Sequence, residues 1–164
     1  MCEKPACFAV RPARETDYPL LFDLIQNMAL YEKRPQDVTG DPDELCYWLF
    51  DREIARAFIA ECDGQPCGYA IYYPVFSSFA CKGTVHLEDI FLQSHCRGAG
   101  LGTRFLGALA RYALEDGYEG MEWSCLDWNE PSLAVYLHLG AHEETGRRYF
   151  AFDKEQLEKL SKGQ

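Results

Sequence analysis

The stretch HCRGAGLGTRFL, residues 95–106, has glycines at three alternate positions and then continues into an apolar helical pattern. A strand-like run, TVHLEDIFL, precedes it. The first turn of a helix has four backbone N–H groups without a partner in the helix, and the helix dipole is positive there. Because glycine has no Cβ, successive amides can approach one anion closely. The stretch therefore predicts a phosphate-binding turn between a strand and a helix.

Two common nucleotide-binding patterns do not fit these glycines. A P-loop needs a Lys followed by Ser or Thr after its last glycine, and a dinucleotide fingerprint needs a third glycine after two intervening residues. What remains is an R-x-x-G-x-G pattern, residues 97–102. A glycine-rich connection without a ligand is the alternative.

Composition limits the possible partners. With 164 residues, 48% of them hydrophobic, the chain is predicted to form a single domain over residues 1–164.

A formal charge of −10 argues against nucleic acid, which is bound through clustered Lys and Arg, and favours a cationic small molecule. Acidity that serves only solubility is the alternative.

No apolar run of membrane-spanning length occurs, and the N-terminus lacks a signal-peptide pattern, so we expect no membrane contact and a cytoplasmic protein. Eight scattered cysteines fit a reducing compartment, and we expect them to be thiols. Cys62 and Cys67 lack the second pair that a zinc site needs, so the sequence predicts no metal.

The hydrophobic patterns and turn residues predict one mixed α/β layer in the order β-α-α-β-β-β-α-β-α-β, followed by a terminal helix. Asp63–Gly64 joins two strands as a hairpin, so the first three strands are expected to be antiparallel. Thr16, Asp41 and Asp153 are expected to cap helices. A helix is predicted over residues 101–115, and RRYFAF, residues 147–152, as a sixth strand.

Two adjacent acids, Glu88 and Asp89, interrupt the apolar run HLEDIFL. Strand alternation predicts that they point to opposite faces of the sheet. Because a buried carboxylate without a partner is costly, at least one of them should be functional or paired.

The R-x-x-G-x-G pattern resembles the pyrophosphate-binding motif of the GNAT superfamily of acyl-CoA-dependent N-acyltransferases, and the predicted element order resembles the GNAT fold over the whole chain. Four segments resemble the diamine (spermidine/spermine) N-acetyltransferase group and its thialysine-acetylating relatives. They are YEK (31–33), HLEDIFL (86–92), CRGAGLGTRFL (96–106) and WNEPSLAVYLHLGA (128–141). The resemblance implies a mixed, mainly antiparallel central sheet flanked by helices.

The resemblance also implies an acetyl-CoA site and no metal. Strand four would splay from strand five, and its backbone at Ile90, Phe91 and Leu92 would pair with pantetheine. Arg97 would add positive charge near the pyrophosphate, and Asn129 and Ser132 would contact the CoA arm. The pyrophosphate would lie on the amides of Gly98, Ala99, Gly100, Leu101, Gly102 and Thr103.

By the same resemblance, the acetyl group passes directly to a primary amine in a ternary complex. Tyr136 would protonate the leaving thiolate, and Glu88 would deprotonate the amine through water. Core packing is the alternative for Tyr136, and a solvated helix end is the alternative for Tyr31 and Glu32. The residues expected to line the acceptor site are Tyr31, Glu32, Glu88, Asp89, Glu122, Trp123 and Ser124.

The sequence identifies the acceptor amine less closely than it identifies the CoA site. The segment AHEETG, residues 141–146, is shorter than the corresponding family loop, so the acid of that loop has no secure counterpart beyond Glu144 or Thr145. The expected substrate is a polyamine, a diamine or a lysine-like amine. The alternatives are another amine (an amino acid, an aminoglycoside or a protein N-terminus) and a non-catalytic CoA-binding domain. The joint presence of Glu88 and Tyr136 favours an enzyme, and the family implies a homodimer to which RRYFAF could contribute.

Overall fold

A computed structural model of the chain describes residues 7–98, 100–146 and 148–163. The chain forms two compact units, Met1–Leu126 and Asp127–Gln164. The single domain over residues 1–164 stays a prediction. The first unit contains β1 Phe8–Pro12, α1 Tyr18–Tyr31, α2 Pro42–Cys46, β2 Arg56–Cys62, β3 Gln65–Ser77, β4 Lys82–Leu92, α3 Leu101–Glu115 and β5 Met121–Trp123; the second contains α4 Glu130–His138 and α5 Lys154–Ser161.

The strands form one five-stranded sheet in the order β1-β2-β3-β4-β5. The first four strands are antiparallel, and β5 is parallel to β4. The predicted mixed, mainly antiparallel sheet is thereby confirmed, as is the hairpin between β2 and β3. A Cβ at Gly68 would lie 2.2 Å from the carbonyl oxygen of Phe91, so only glycine permits β3 and β4 to approach this closely.

Helices cover both faces of this sheet. On one face, α3 buries Leu101, Phe105, Leu109 and Ala113, which recur every four residues along one side of the helix. On the other face, α1 buries Leu21 and Leu24. The α3-side core comprises Phe8, Phe58, Ala60, Cys67, Ala70, Tyr72, Val85, Leu87, Leu92, Cys96, Leu101, Phe105, Leu109 and Ala113. The α1-side core comprises Leu21, Leu24, Leu49, Ala57, Ile59, Tyr69, Ile71 and Phe91.

One of the three predicted helix caps is wrong. Asp41 and Asp153 accept hydrogen bonds from the third residue of their helices, as expected. Thr16 lies instead inside a 3₁₀ turn, and α1 begins at Tyr18. The adjacent Asp17 carboxylate accepts from the Arg14 amide and pairs with Arg11, each at 2.7 Å, so this turn is fixed against β1 rather than capping α1.

The second unit lacks the predicted sixth strand. Residues 148–152 are not in a strand, and Arg147 lies outside the described residues. Tyr149 and Phe150 are each 91% exposed. This aromatic segment has the composition of a strand, but strand formation needs a neighbouring edge for its backbone groups, and no strand pairs with it in the described parts of the chain.

No helix within residues 7–98, 100–146 and 148–163 is long and apolar enough to cross a membrane.

Candidate functional site

The glycine loop leads from β4 into α3. Gly98 and Gly100 have positive φ angles of 84° and 75°, a region that favours glycine. Gly100 is the N-cap of α3, and no side chain of the described residues caps this helix end. A Cβ at Gly98, Gly100 or Gly102 would meet no described atom within 4 Å. A helix N-terminus without a side-chain cap, preceded by glycines, suits an anion.

The amides of Leu101, Gly102 and Thr103 lie in the first turn of α3, where no carbonyl of the helix can accept from them. Ala99, which the sequence also places here, lies outside the described residues. These donors are backbone groups, so the site depends on the shape of the loop more than on its side chains.

Arg97 holds the base of this loop. Its Nε donates to the carbonyl oxygen of Leu92 at 2.7 Å, and its guanidinium lies 4.0 Å from the centre of the Tyr31 ring. The side chain thus connects the end of β4 with the end of α1, and its contribution to anion binding stays a prediction. An adjacent cavity of about 380 Å³ is lined by Asn27, Tyr31, Phe91, Gln93, Ser94, His95 and Arg97.

A β-bulge in β4 determines where the two adjacent acids lie. Ile71 of β3 is opposite Asp89 and Tyr72 is opposite Leu87, so Glu88 is an extra residue without a partner in the register. Beyond the bulge the alternation is reversed. Leu87 therefore faces the α3-side core, whereas Asp89 contacts Tyr69 of the α1-side core.

Glu88 lies on this same α1-side face. It interacts with Tyr73, the cross-strand partner of His86, and its carboxylate is 4.0 Å from His86 Nε2. The prediction that Glu88 and Asp89 point to opposite faces is therefore wrong, because strand alternation does not continue through a bulge.

Other polar groups complete this acidic face, which we define by Glu32, Glu88, Asp89 and Glu122. Tyr69 donates its hydroxyl hydrogen bond to Asp89 at 2.9 Å. His86 stacks on Tyr73 with ring centres 5.1 Å apart, and its Nδ1 is 3.4 Å from the Glu122 carboxylate. Three carboxylates from β4 and β5 therefore lie on one side of the sheet, and sequence analysis did not identify Tyr69, Tyr73 or His86 as their neighbours.

Glu32 contributes from the end of α1, where it is the C-cap. A carboxylate at this end of a helix opposes the helix dipole and is not expected for stability. Its charge acts on Asp89 and on Tyr69. Whether Glu32 binds a substrate or is a solvated helix end stays a prediction.

The side chains of the predicted segment Glu122 to Ser124 do not all lie on the same face of the sheet. Trp123 packs against the α3-side core, whereas Glu122 contacts His86 on the acidic face. Ser124 follows β5 and is exposed. The structure thus brings Glu122, and not Trp123, to Glu88.

β5 covers only part of β4. The parallel pairing extends from Val85 with Met121 to Leu87 with Trp123. At Ile90, Phe91 and Leu92, no strand pairs with that edge of β4 in the described parts of the chain. Their backbone positions suit the predicted pairing with an extended ligand.

Three predicted site residues belong to the second unit. Asn129 is the N-cap of α4, and Ser132 and Tyr136 lie within or at the edge of its first two turns. Spacings of three and four residues place all three on one side of the helix. Each of them is half-buried. The helix thus presents two small polar side chains and a phenol together.

The Asp89 carboxyl has a perturbed pKa. Burial raises it to about 6, and the charges of Glu88 and Glu32 add to this, whereas the hydrogen bond from Tyr69 opposes the shift. A carboxyl with this pKa can exchange a proton near neutral pH. The acidic face can therefore attract a cation and accept a proton from it.

Asp89→Asn is expected to stabilise the fold at pH 7 by about 2 to 3 kcal/mol. The folded pKa of about 6 exceeds the unfolded value of 3.8. The parent therefore loses stability as pH rises from about 4 to 6, whereas the variant, which can still accept from Tyr69, does not. Urea unfolding at pH 4 and pH 7 measures the difference, which should vanish at pH 4. The exposed Asp23→Asn is the control, and an equal gain there would contradict the explanation.

Comparison with known proteins agrees with this geometry. Residues 21–141 match the model of the Acetyltransferase (GNAT) family. A thialysine N-epsilon-acetyltransferase from Bos taurus is 32% identical over 165 residues, covering 93% of this chain and 96% of that protein. An L-ornithine N5-acetyltransferase from Arabidopsis thaliana is 34% identical over 178 residues, covering 80% and 78%.

Solved structures show the same fold. The crystal structure of an aminoglycoside acetyltransferase from an uncultured soil metagenomic sample has a TM-score of 0.75 at 17% identity, covering 89% of this chain and 97% of that one. A ribosomal-protein-alanine N-acetyltransferase from Brucella melitensis has a TM-score of 0.72 at 18% identity, covering 90% and 100%. With the family match over residues 21–141, the chain belongs to the GNAT family and is an N-acetyltransferase.

Proposed function

We propose that the protein transfers an acetyl group from acetyl-CoA to a primary amine of a small cationic acceptor, either a diamine or polyamine or a lysine-like amine. The observation that carries the proposal is the acidic face. The bulge brings Asp89 to the side of the sheet where Glu88 and Glu122 lie, and Glu32 adds its charge from α1. A cluster of carboxylates beside the unpaired edge of β4 suits a cation that must meet an extended ligand there.

Acetyl-CoA supplies the thioester carbonyl that the amine attacks. For binding it, the chain offers the uncapped amides of Leu101, Gly102 and Thr103 and the backbone of β4 at Ile90, Phe91 and Leu92. The left-handed Gly98 and Gly100 allow the loop to turn close to a phosphate. Asn129 and Ser132 are proposed to contact the CoA arm.

The acceptor amine arrives as an ammonium ion with a pKa near 10, so it must lose a proton before it attacks. We assign that proton to Glu88, received through water, with Asp89 holding the cation in place. The neutral amine then attacks directly in a ternary complex, forming the amide bond as the thioester bond breaks. Tyr136 gives its phenolic proton to the leaving thiolate, and the second proton that the attacking nitrogen loses returns through solvent to the tyrosinate, which restores Tyr136.

The expected acceptor has two separated positive charges. Glu32 ends α1, whereas Glu88 lies within β4, so two carboxylates on different elements can each meet one cationic group. Thialysine and ornithine, named for the two similar enzymes, each carry a side-chain amine besides the α-amine. Such acceptors fit the same charge arrangement as a diamine.

Release of free CoA thiol tests the proposal. The purified protein is given acetyl-CoA with spermidine, putrescine, lysine, thialysine or an aminoglycoside. We expect saturable turnover with a di- or polyamine or with a lysine-like amine. Turnover with the aminoglycoside alone would reject the acceptor class but not the transfer. Acetyl-CoA binding without turnover on any of these amines would support the CoA site and reject the proposed acceptor class.

Gly100→Ala is expected to weaken acetyl-CoA binding about 10-fold, because a Cβ costs roughly 1–2 kcal/mol at a left-handed position such as Gly100, with φ 75°. The free loop of the variant can relieve this strain by leaving the left-handed conformation, and it must be strained again to bind. The dissociation constant for acetyl-CoA measures the effect. Gly107→Ala is the matched control, because Gly107 lies inside α3 and a Cβ there meets no described atom within 4 Å. Equal affinities of both variants would remove the loop from the CoA site.

We further propose a cytoplasmic homodimer. The seven cysteines in the described parts of the chain are all thiols, which suits a reducing compartment. The exposed aromatic side chains of Tyr149, Phe150 and Phe152 suit a contact with a second copy. Light scattering of the purified protein measures its mass, and a monomer at micromolar concentration would reject the dimer.

A further inference from the structure

Three thiols, two from the β2–β3 hairpin and one from a distant segment, lie close together. Cys62 ends β2, Cys67 lies near the start of β3, and Cys96 ends the short 3₁₀ turn before the glycine loop. Their sulfur atoms all lie within 4.8 Å of one another, and those of Cys62 and Cys67 are 3.1 Å apart. The sequence predicts no metal site because Cys62 and Cys67 lack a second pair nearby, and Cys96 is distant from both along the chain.

A second β-bulge creates this cluster. Ala60 is opposite Gly68 and Glu61 is opposite Pro66, so Cys67 is the extra residue of β3. Its side chain joins the α3-side core, where Cys96 is also buried. The amide of Gln93 donates to the carbonyl oxygen of Cys67 at 2.8 Å and ties the segment that carries Cys96 to the bulge. Backbone contacts on both strands therefore hold the three sulfurs together.

The donor set indicates the class of ligand. Thiolates select soft metal ions, and structural zinc almost always takes four ligands. In the described parts of the chain, this group of metal-ligating side chains contains the three cysteines and no fourth member. A monovalent d¹⁰ ion such as Cu(I) is satisfied by two or three sulfurs and has little affinity for water or carboxylates.

We propose that Cys62, Cys67 and Cys96 form a binding site for one Cu(I)-like soft metal ion. The apolar neighbours Phe8 and Leu92 belong to the same core and exclude water from it. Cys62 is only half-buried at the end of the hairpin and offers a path of entry. Each copper–sulfur bond formed to a thiol releases one proton to solvent.

The bound ion would join two parts of the fold. Cys62 and Cys67 belong to the β2–β3 hairpin, whereas Cys96 immediately precedes Arg97 and the left-handed Gly98. A metal bridge would therefore fix the base of the glycine loop to the hairpin, and it would stabilise the folded protein by an amount that grows with the logarithm of the affinity. The inference does not depend on acetyl transfer.

Anaerobic titration of the reduced full chain with Cu(I), against a chromophoric Cu(I) chelator, tests the site. The starting protein has Cys2, Cys7, Cys46, Cys81 and Cys125 replaced by serine, which leaves the cluster alone. We expect one Cu(I) per chain, three sulfur neighbours by X-ray absorption, and a higher melting temperature. Zn(II), titrated in parallel, should bind more weakly.

Cys62→Ala is the principal variant, because this half-buried position tolerates truncation best, and Cys96→Ala is the second. Each should weaken Cu(I) binding by more than about 100-fold. Loss of a residue that only hydrogen-bonds to a metal ligand costs up to about 100-fold, and loss of a ligand itself should cost more. The rise in melting temperature should disappear as well. Absence of Cu(I) binding in the starting protein, or unchanged affinity in both folded variants, would overturn the proposal and leave the thiols as core packing.

Discussion

Tyr136→Phe is expected to lower kcat by about 100-fold or more, the usual contribution of a positioned general acid. The substitution removes only the phenolic oxygen, so packing of the ring on α4 is kept. Because the proton is needed only as the thiolate leaves, the affinity for acetyl-CoA should stay unchanged. Steady-state kinetics at saturating amine, together with calorimetric binding of acetyl-CoA, separate these two quantities.

Tyr47→Phe provides the matched control. Tyr47 lies at the end of α2, outside every proposed site, and is 43% exposed, so its hydroxyl should not affect turnover. A Tyr136→Phe protein that binds acetyl-CoA and retains full kcat would remove Tyr136 from the mechanism. A protein that has lost both binding and turnover would instead indicate a structural role, because Tyr136 shares one side of α4 with Asn129 and Ser132.

Glu88→Gln is expected to lower kcat/KM for a cationic amine about 100-fold at pH 7. The variant keeps the size of the side chain and removes both the negative charge and the proton acceptor. Its deficit should shrink toward pH 9.5, because more of the amine is then neutral without help. Glu115→Gln, an exposed carboxylate on α3, is the control.

The pH dependence of stability gives an independent test of the charge on Glu88. The charge of Glu88 contributes to the raised pKa of Asp89, which is about 6 in the parent. Removing that charge should lower the pKa of Asp89, so the loss of stability in the acidic range should move to lower pH. A kinetic deficit that is constant from pH 7 to 9.5 would contradict proton abstraction by Glu88.

The features that the sequence predicts correctly are local. The helix over residues 101–115 follows from apolar residues spaced three or four apart, with a glycine before it and another after it. The hairpin follows from the Asp63–Gly64 turn. The same holds for the glycine loop and for the caps at Asp41 and Asp153. In each of these, neighbouring residues decide the structure.

The features that the sequence misses depend on distant pairing. Neither bulge, at Cys67 or at Glu88, has a local pattern, because each follows from the register between two strands. The face of Asp89 and the approach of Cys96 to Cys62 depend on those registers. The prediction of a strand at RRYFAF is wrong for a related reason, because strand propensity does not supply a pairing partner.

The bulge at Glu88 also means that the sheet is complete without this residue. Tyr72 already pairs with Leu87 and Ile71 with Asp89, so deleting Glu88 would close the ladder with every other pair and every face preserved. A shortened chain of that kind should keep its circular dichroism and its β4–β5 contacts. Glu88, the proposed base, is thus a residue that the fold does not need. Deleting it should remove catalysis and leave the sheet intact.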